Sequence, residues 1–357
     1  MLERTLVRSL AVLLPLVAAS SVADTVSGWT VSESGYDREK IAALDSAIEK
    51  GTYQQINSVV VIRNGELLVE RYYNGATREQ THDPRSVGKT VAATMLGIAI
   101  DEGHIDDVDQ PLSDFYDLEA YDNYSDQKAA VTLRQLLTMT SGFDGFDFEA
   151  DSVGNEENMY PMEDWVAWTL NLPMASDREP GDEWRYFTAG IVVLGDILNS
   201  AVPGGLESYA DKKLFAPIGV RNYEWQHTPQ RVANTAGGIQ LTPLGFARFG
   251  ELHRSYGRWK GSSIVPADWV AAMLNPVVDT TVEGNRYGYL WWHKSYIVGD
   301  EDWPVAYCSG NGGNKIFVFD ERELVVVVTA SAYGQRYMHS QVDEMMVEYV
   351  LPAVREN

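Results

Sequence analysis

The chain is poor in the residues that usually announce a cofactor or a covalent framework. One of its 357 residues is cysteine, Cys308, so no internal disulfide can form and no paired-thiolate metal site exists. Six histidines occur, none in an H-E-x-x-H pattern. Basic residues are scarce: 28 Lys and Arg stand against 51 Asp and Glu, a net charge of −23 that repels nucleic acid and anionic membranes. There is no G-x-S-x-G elbow, internal repeat or low-complexity tract. Gly88-Lys89-Thr90 has the end of a phosphate loop, but that pattern requires glycine where Asp83 stands. An acidic side chain followed by Pro84 would repel phosphate and withhold an amide donor. Neither a metal nor a cofactor is expected.

One apolar run suits targeting. Arg4 and Arg8 precede LAVLLPLVAAS, and Ser21-Val22-Ala23 offers small residues for cleavage. The run is short for a membrane span and is broken by Pro15. Residues 1–23 therefore read as a signal peptide, and 24–357 as a periplasmic or secreted domain without a stable membrane anchor.

The chain is organised around His82-Asp83-Pro84-Arg85-Ser86-Val87-Gly88-Lys89-Thr90, followed by VAATMLGIAI. Asp83 suits a helix cap, Pro84 the first helical position, and Gly103 the stop. Val91 to Ile100 are apolar nearly all round, which predicts an interior helix. Ser86 and Lys89, three apart, would share one helical face. A desolvated lysine there can help take the hydroxyl proton, and the helix N-terminus favours a developing oxyanion. This is an S-x-x-K arrangement. A second copy, Ser125 to Lys128, sits in YDNYSDQK, which reads as a solvated loop. The acidic cluster Asp144, Asp147, Glu149 and Asp151 lacks calcium-loop spacing and also reads as solvated.

Elsewhere DREKIAALDSAIEKG places Ile41, Leu44 and Ile48 on one helical stripe, and SVVVIR with ELLVERYY around Asn64-Gly65 predicts a type I′ hairpin. Thr132 and Gln135 form a capping box. Helical stripes recur near 161–171, 190–201, 206–214, 243–255 and 266–273. From Tyr287 the pattern is strands (YGYLWWHKSYIV, VAYCS, KIFVFDERELVVVVTAS), and a last helix spans about 338–351. The expected fold is α/β of the α+β kind: an antiparallel sheet built from both chain ends (about 38–85 and 286–357), flanked by helices, with a mainly helical lobe (about 86–285) inserted between. Ser86 then lies at the seam.

The run RSVGKTVAATMLGIAIDEGHIDDVDQPLSDFY with LRQLLTMTSGFD resembles the serine β-lactamase-related family, and in particular its class C-like branch of esterases, D-amino-acid peptidases and 6-aminohexanoate-dimer hydrolases. EPGDEWRYFTAGIVVLGDIL resembles that family's second motif, and YGYLWW with SGNGGNKIFV its last. The resemblance covers residues 38 to 352 in consistent order. It implies that Ser86 is the acylated nucleophile, Lys89 its proton-sharing partner, and Tyr186 the proton shuttle, as phenolate or through Lys89. It also implies that the Ser86 and Asn311 amides form the oxyanion hole. Thr188, Ser309, Gly310 and Trp292 become candidate substrate contacts. Two departures are chemical. Thr188 replaces the asparagine of Y-x-N, and Cys308-Ser309-Gly310 replaces K-T-G, removing the lysine that holds a substrate carboxylate. Cys308 reads as a small strand hydrophobe. Of Trp291 and Trp292, strand alternation makes one core and the other outward-facing. The expectation is an exported serine hydrolase cleaving a small-molecule ester or amide. A D,D-peptidase or weak β-lactamase is the alternative, and a catalytically silent cell-wall-binding protein of the same fold the reading from another class.

Overall fold

The computed structural model describes residues 25–355 apart from 27 and 33; the signal-peptide reading of 1–23 lies outside them. Among the described residues, ten strands form one sheet. Its order is Thr25–Val26, Trp29–Val31, Glu66–Tyr72, Ile56–Arg63, Leu324–Ala330, Asn314–Phe319, Glu301–Gly310, Trp291–Val298, Arg286–Gly288 and Val278–Asp279. Every neighbouring pair is antiparallel except Trp29–Val31 with Glu66–Tyr72. The two chain ends meet where Leu324–Ala330 pairs with Ile56–Arg63, Val326 opposite Val61.

Helices cover both faces. Arg38–Glu49, capped by Asp37, and the segment from Ser340 to Val354 lie on one side. On the other, Pro243–Arg254 lies so close to the sheet that Val325 Cγ1 and Ile316 Cγ2 would meet a side chain added at Gly250. This double cover explains the unbroken run LVVVVTA, buried at every residue where a one-sided sheet would alternate. It also corrects the tryptophan expectation. Trp291 and Trp292 point to opposite faces, yet both are buried, because each face has a layer over it.

The helix Lys89–Asp101 is buried from Lys89 through Ala99 and packs against Thr188–Ala201. Gly103 ends it in the left-handed region, φ +73°. The hairpin turn has positive φ at both Asn64 and Gly65, as type I′ requires, and the Thr132–Gln135 capping box is present. Two local expectations are corrected. Residues 287–298 are two strands rather than one: the chain reverses at Tyr289 and Leu290, both with positive φ, so Tyr287 pairs with Trp292. Ser125 starts a short helix, Asp126–Ala129, and Lys128 is fully buried. The Lys128 ammonium donates to the Asp122 and Leu170 carbonyls, while Ser125 Oγ only caps the Lys128 amide, so this second S-x-x-K holds a loop together. Among the described residues no single helix is long and apolar enough to cross a membrane.

Candidate active site

Ser86 lies in a 3-10 turn, Arg85–Gly88, that precedes the α-helix beginning at Lys89. The expected start of a regular helix at Pro84 is therefore displaced by one turn. The cause is Arg85, held at φ +54° in a region that non-glycine residues seldom occupy. Its amide donates to Asp83 Oδ1 at 2.9 Å, its guanidinium pairs with Asp83 Oδ2 at 3.3 Å, and it lies over the Tyr333 ring. Pro84, expected as the first helical residue, takes the cap position, and Asp83 instead closes a two-residue turn onto the Arg85 amide. Side chains at i and i+3 eclipse in a 3-10 helix, so Ser86 and Lys89 meet as the spacing demanded: Lys89 Nζ donates to Ser86 Oγ at 2.8 Å.

Lys89 is 1% exposed and also donates to the Ala236 carbonyl at 2.5 Å. Burial pushes its pKa below the ordinary lysine value, with Glu156 and Asp147 pulling part of the way back. The Lys89 nitrogen stands 5.3 Å from the centre of the Tyr186 ring. Tyr186 lies two residues before the helix Thr188–Ala201, and its ring stacks on Phe148 (5.3 Å) and on Trp292 (5.9 Å). Its hydroxyl is hydrogen-bonded to Ser86, which favours the phenolate, but burial and the nearby Glu156 and Asp147 outweigh that bond and hold its pKa well above the usual phenol range. The phenolate form expected from the resemblance is thereby disfavoured in the resting site.

The strand Glu301–Gly310 ends against the turn that carries Ser86. A side chain at Gly310 would meet the Pro84 carbonyl oxygen at 1.9 Å and the Ser86 amide nitrogen at 3.1 Å, so only glycine fits there. The next residue, Asn311, lines one pocket with Ser86. Its side chain is tied back, Oδ1 accepting from the Gly334 amide at 2.8 Å, and its carbonyl accepts from Asn314 Nδ2 at 2.8 Å. That pocket, about 410 Å³, is completed by Glu156, Glu157, Tyr160, Trp165, Gln226 and Asn234. None of these was singled out from the sequence; they come from two short helices, Glu156–Met159 and Trp165–Asn171, and from connections, where no motif marks them.

The structure corrects two candidate contacts. Thr188 is fully enclosed with its amide bonded to Asp147 Oδ2 at 2.7 Å, so it does not line the pocket. Trp292 lies behind Tyr186, packed on Trp184 and Tyr287, and acts as a wall. Ser309 is half-buried opposite Lys315 on the next strand, Oγ accepting from Lys315 Nζ at 3.5 Å. Cys308 is buried on the other face with its thiol donating to Thr90 Oγ1 at 3.5 Å, and burial pushes its pKa far up.

The sequence profile of the Beta-lactamase family matches residues 44–342. The 6-aminohexanoate-dimer hydrolase of Paenarthrobacter ureafaciens is 26% identical over 238 residues, covering 61% of this chain and 57% of that protein. The chain thus spans little more than half the length of that relative. Two solved structures share the fold: EstCE1, a hydrolase with promiscuous acyltransferase activity (TM-score 0.70, 15% identity, 87% of this chain and 98% of that one), and a penicillin binding protein from Bacillus halodurans (TM-score 0.65, 18% identity, 85% and 98%). With a family match over more than half its length, and with that fold, the chain belongs to the beta-lactamase family of serine hydrolases.

Proposed function

We propose that the protein is an exported serine hydrolase that cleaves a small ester or amide through an acyl group on Ser86. The observation that carries this is the 2.8 Å bond from Lys89 Nζ to Ser86 Oγ, made by a lysine whose burial favours the neutral amine. Neutral Lys89 takes the Ser86 proton as Oγ attacks the carbonyl carbon. The oxyanion forms beside the Ser86 and Asn311 amides; one such donor is worth about 10²–10³ in rate. As the intermediate collapses, neutral Tyr186 gives its proton to the departing oxygen or nitrogen and is reprotonated from Lys89. Water then attacks the acyl carbon, its proton passes to the same pair, and Ser86 is released. Burial keeps Tyr186 protonated in the resting site, so it enters the cycle as a proton carrier and not as a phenolate base.

The test is to treat the folded protein with a fluorophosphonate and, separately, with a penicillin, and to weigh the peptide containing Ser86. Addition from the fluorophosphonate, lost in Ser86→Ala, is expected; no addition from either reagent would sink the assignment. A second reading, a peptidase or weak β-lactamase acting on substrates with a carboxylate, is favoured by one observation. Cys308 supplies no cation, but Lys315 brings one to within 3.5 Å of Ser309 Oγ from the adjacent strand. Burial lowers the pKa of Lys315 to about 8, with Asp343 opposing the shift, so it carries most of a charge at neutral pH. Penicillin labelling of Ser86 would support this reading.

A further inference from the structure

The cluster Asp144, Asp147, Glu149 and Asp151 is not uniformly solvated. Asp147 is turned inward and is used on every side. Its amide donates to the Tyr186 carbonyl at 2.8 Å. Its Oδ2 accepts from the Thr188 amide at 2.7 Å and its Oδ1 from the Glu156 amide at 2.9 Å. Its own carbonyl accepts from Asn155 Nδ2 at 3.2 Å. The main chain is thus held by one residue at the Tyr186 carbonyl and again at the Thr188 amide, and the same residue ties it to the start of the short helix Glu156–Met159 at the pocket. The next residue, Phe148, is 52% exposed, an unusual place for a large apolar ring, and it lies nearly parallel to the Tyr186 ring at an interplanar angle of 13°. Trp292 also stacks on the Tyr186 ring, at 5.9 Å and 25°, so two aromatic planes restrain the phenol's tilt.

We infer that the Asp147–Phe148 segment is the positioning element for Tyr186, Asp147 fixing its main chain and Phe148 its ring. The inference rests on the Ser86–Lys89–Tyr186 reading above. Both oxygens of Asp147 accept from main-chain amides, so an asparagine there must turn its own NH₂ toward one of them and exchange a hydrogen bond for a donor–donor contact. The carboxylate is costly where it sits: burial and the adjacent Glu156 raise its pKa to about 6, and only the bonds from Thr188 and the Lys89 charge oppose that rise. A charge retained against that cost is better explained by what it holds in place than by stability.

The groups facing this carboxylate are Glu156 from the short helix at the pocket, Lys89 from the buried helix, Tyr186 beside it, and Tyr160, whose hydroxyl bonds Glu156. Asp147 raises the pKa of both Lys89 and Tyr186. Removing its charge therefore lowers both.

The experiment compares wild type, Asp147→Asn and Phe148→Leu in nitrophenyl-ester hydrolysis across pH, with fluorophosphonate labelling of wild type alongside. In Asp147→Asn, kcat is expected to fall about 10²-fold, as for a displacement near 1 Å. KM should be little changed, and the acid limb of kcat/KM should move to lower pH. In Phe148→Leu, whose exposed side chain makes folding tolerant, kcat falls less and KM holds. No label on wild-type Ser86 would overturn the Ser86 reading itself. Label on wild type together with unchanged kcat and pH profile in folded Asp147→Asn would overturn the inference alone. A lower kcat with the acid limb unmoved would reduce Asp147 to structural support and overturn it too. If Asp147→Asn does not fold, Phe148→Leu decides: wild-type kcat overturns the inference, and a lower kcat at unchanged KM upholds it.

Discussion

Gly310→Ala would put a methyl carbon where the Pro84 carbonyl oxygen is only 1.9 Å away, with the Ser86 amide nitrogen at 3.1 Å. Carbon and oxygen come no closer than about 3.3 Å even in favourable C–H···O contacts, so roughly 1.4 Å must be found between the strand end and the nucleophile turn. Gly310 does not have a left-handed backbone, so alanine adds no torsional strain, and the whole effect is displacement. Neither partner can yield cheaply. The strand is paired to Asn314–Phe319 up to Gly310 itself, and the turn is pinned by Asp83, Arg85 and Tyr333, whose hydroxyl donates to the Asp83 carbonyl at 2.7 Å. Misplacing reacting groups by about 1 Å costs about 10²-fold in rate. Nitrophenyl-acetate hydrolysis and the rate of fluorophosphonate labelling should both fall by at least about that factor. Far-ultraviolet circular dichroism should stay native, because the clash is local. A Gly310→Ala protein with wild-type rates in both assays would refute the close approach of this strand to Ser86, and with it the placement of Asn311 at the oxyanion.

Lys89→Met should cut turnover by about 10²–10⁴-fold while leaving the melting temperature unchanged or higher, since a desolvated amine is replaced by an apolar side chain of similar length. In wild type, activity should rise with pH along an acid limb below the ordinary lysine value of 10.5, because burial lowers the pKa of Lys89 and the neutral amine is the active form; an acid limb at 10.5 would contradict the buried-amine mechanism. The same shift makes protonated Lys89 a cost to folding that is relieved as pH rises through its folded-state pKa. Cys308 should resist iodoacetamide in the native protein and react only after denaturation, as its burial and raised pKa require, and rapid native alkylation would show the strand to be open. Lys315→Met should abolish any penicillin labelling of Ser86 and spare neutral esters; equal loss of both would show that Lys315 acts on the fold and not on a substrate carboxylate.

Much of the fold was legible because its signals are local. Asn64-Gly65 forms the turn its composition demands, Thr132 and Gln135 cap their helix, and the apolar run after Lys89 is buried throughout. Errors arose where tertiary cover or backbone strain overrode a local rule. Strand alternation mispredicted Trp291 and Trp292 because it assumes one wet face. Tyr289 and Leu290 hide a reversal, because neither residue signals positive φ. Arg85 delays the helix by one turn for the same reason.

The sequence by itself determined the family, the serine–lysine pair and the glycine at the strand end, since each depends on spacing or on a missing side chain. Only the tertiary structure decided how those residues are used. A three-residue spacing is satisfied equally by Ser86–Lys89 and Ser125–Lys128, and burial alone cannot separate them, since both lysines are enclosed. Lys89 points at its serine and at Tyr186, whereas Lys128 spends its protons on the Asp122 and Leu170 carbonyls. Asp147 likewise reads as one more solvated acid until the fold turns it inward onto the Thr188 and Glu156 amides and the Tyr186 carbonyl. Direction of a side chain and desolvation are properties of the packed chain, and no local window of sequence contains them.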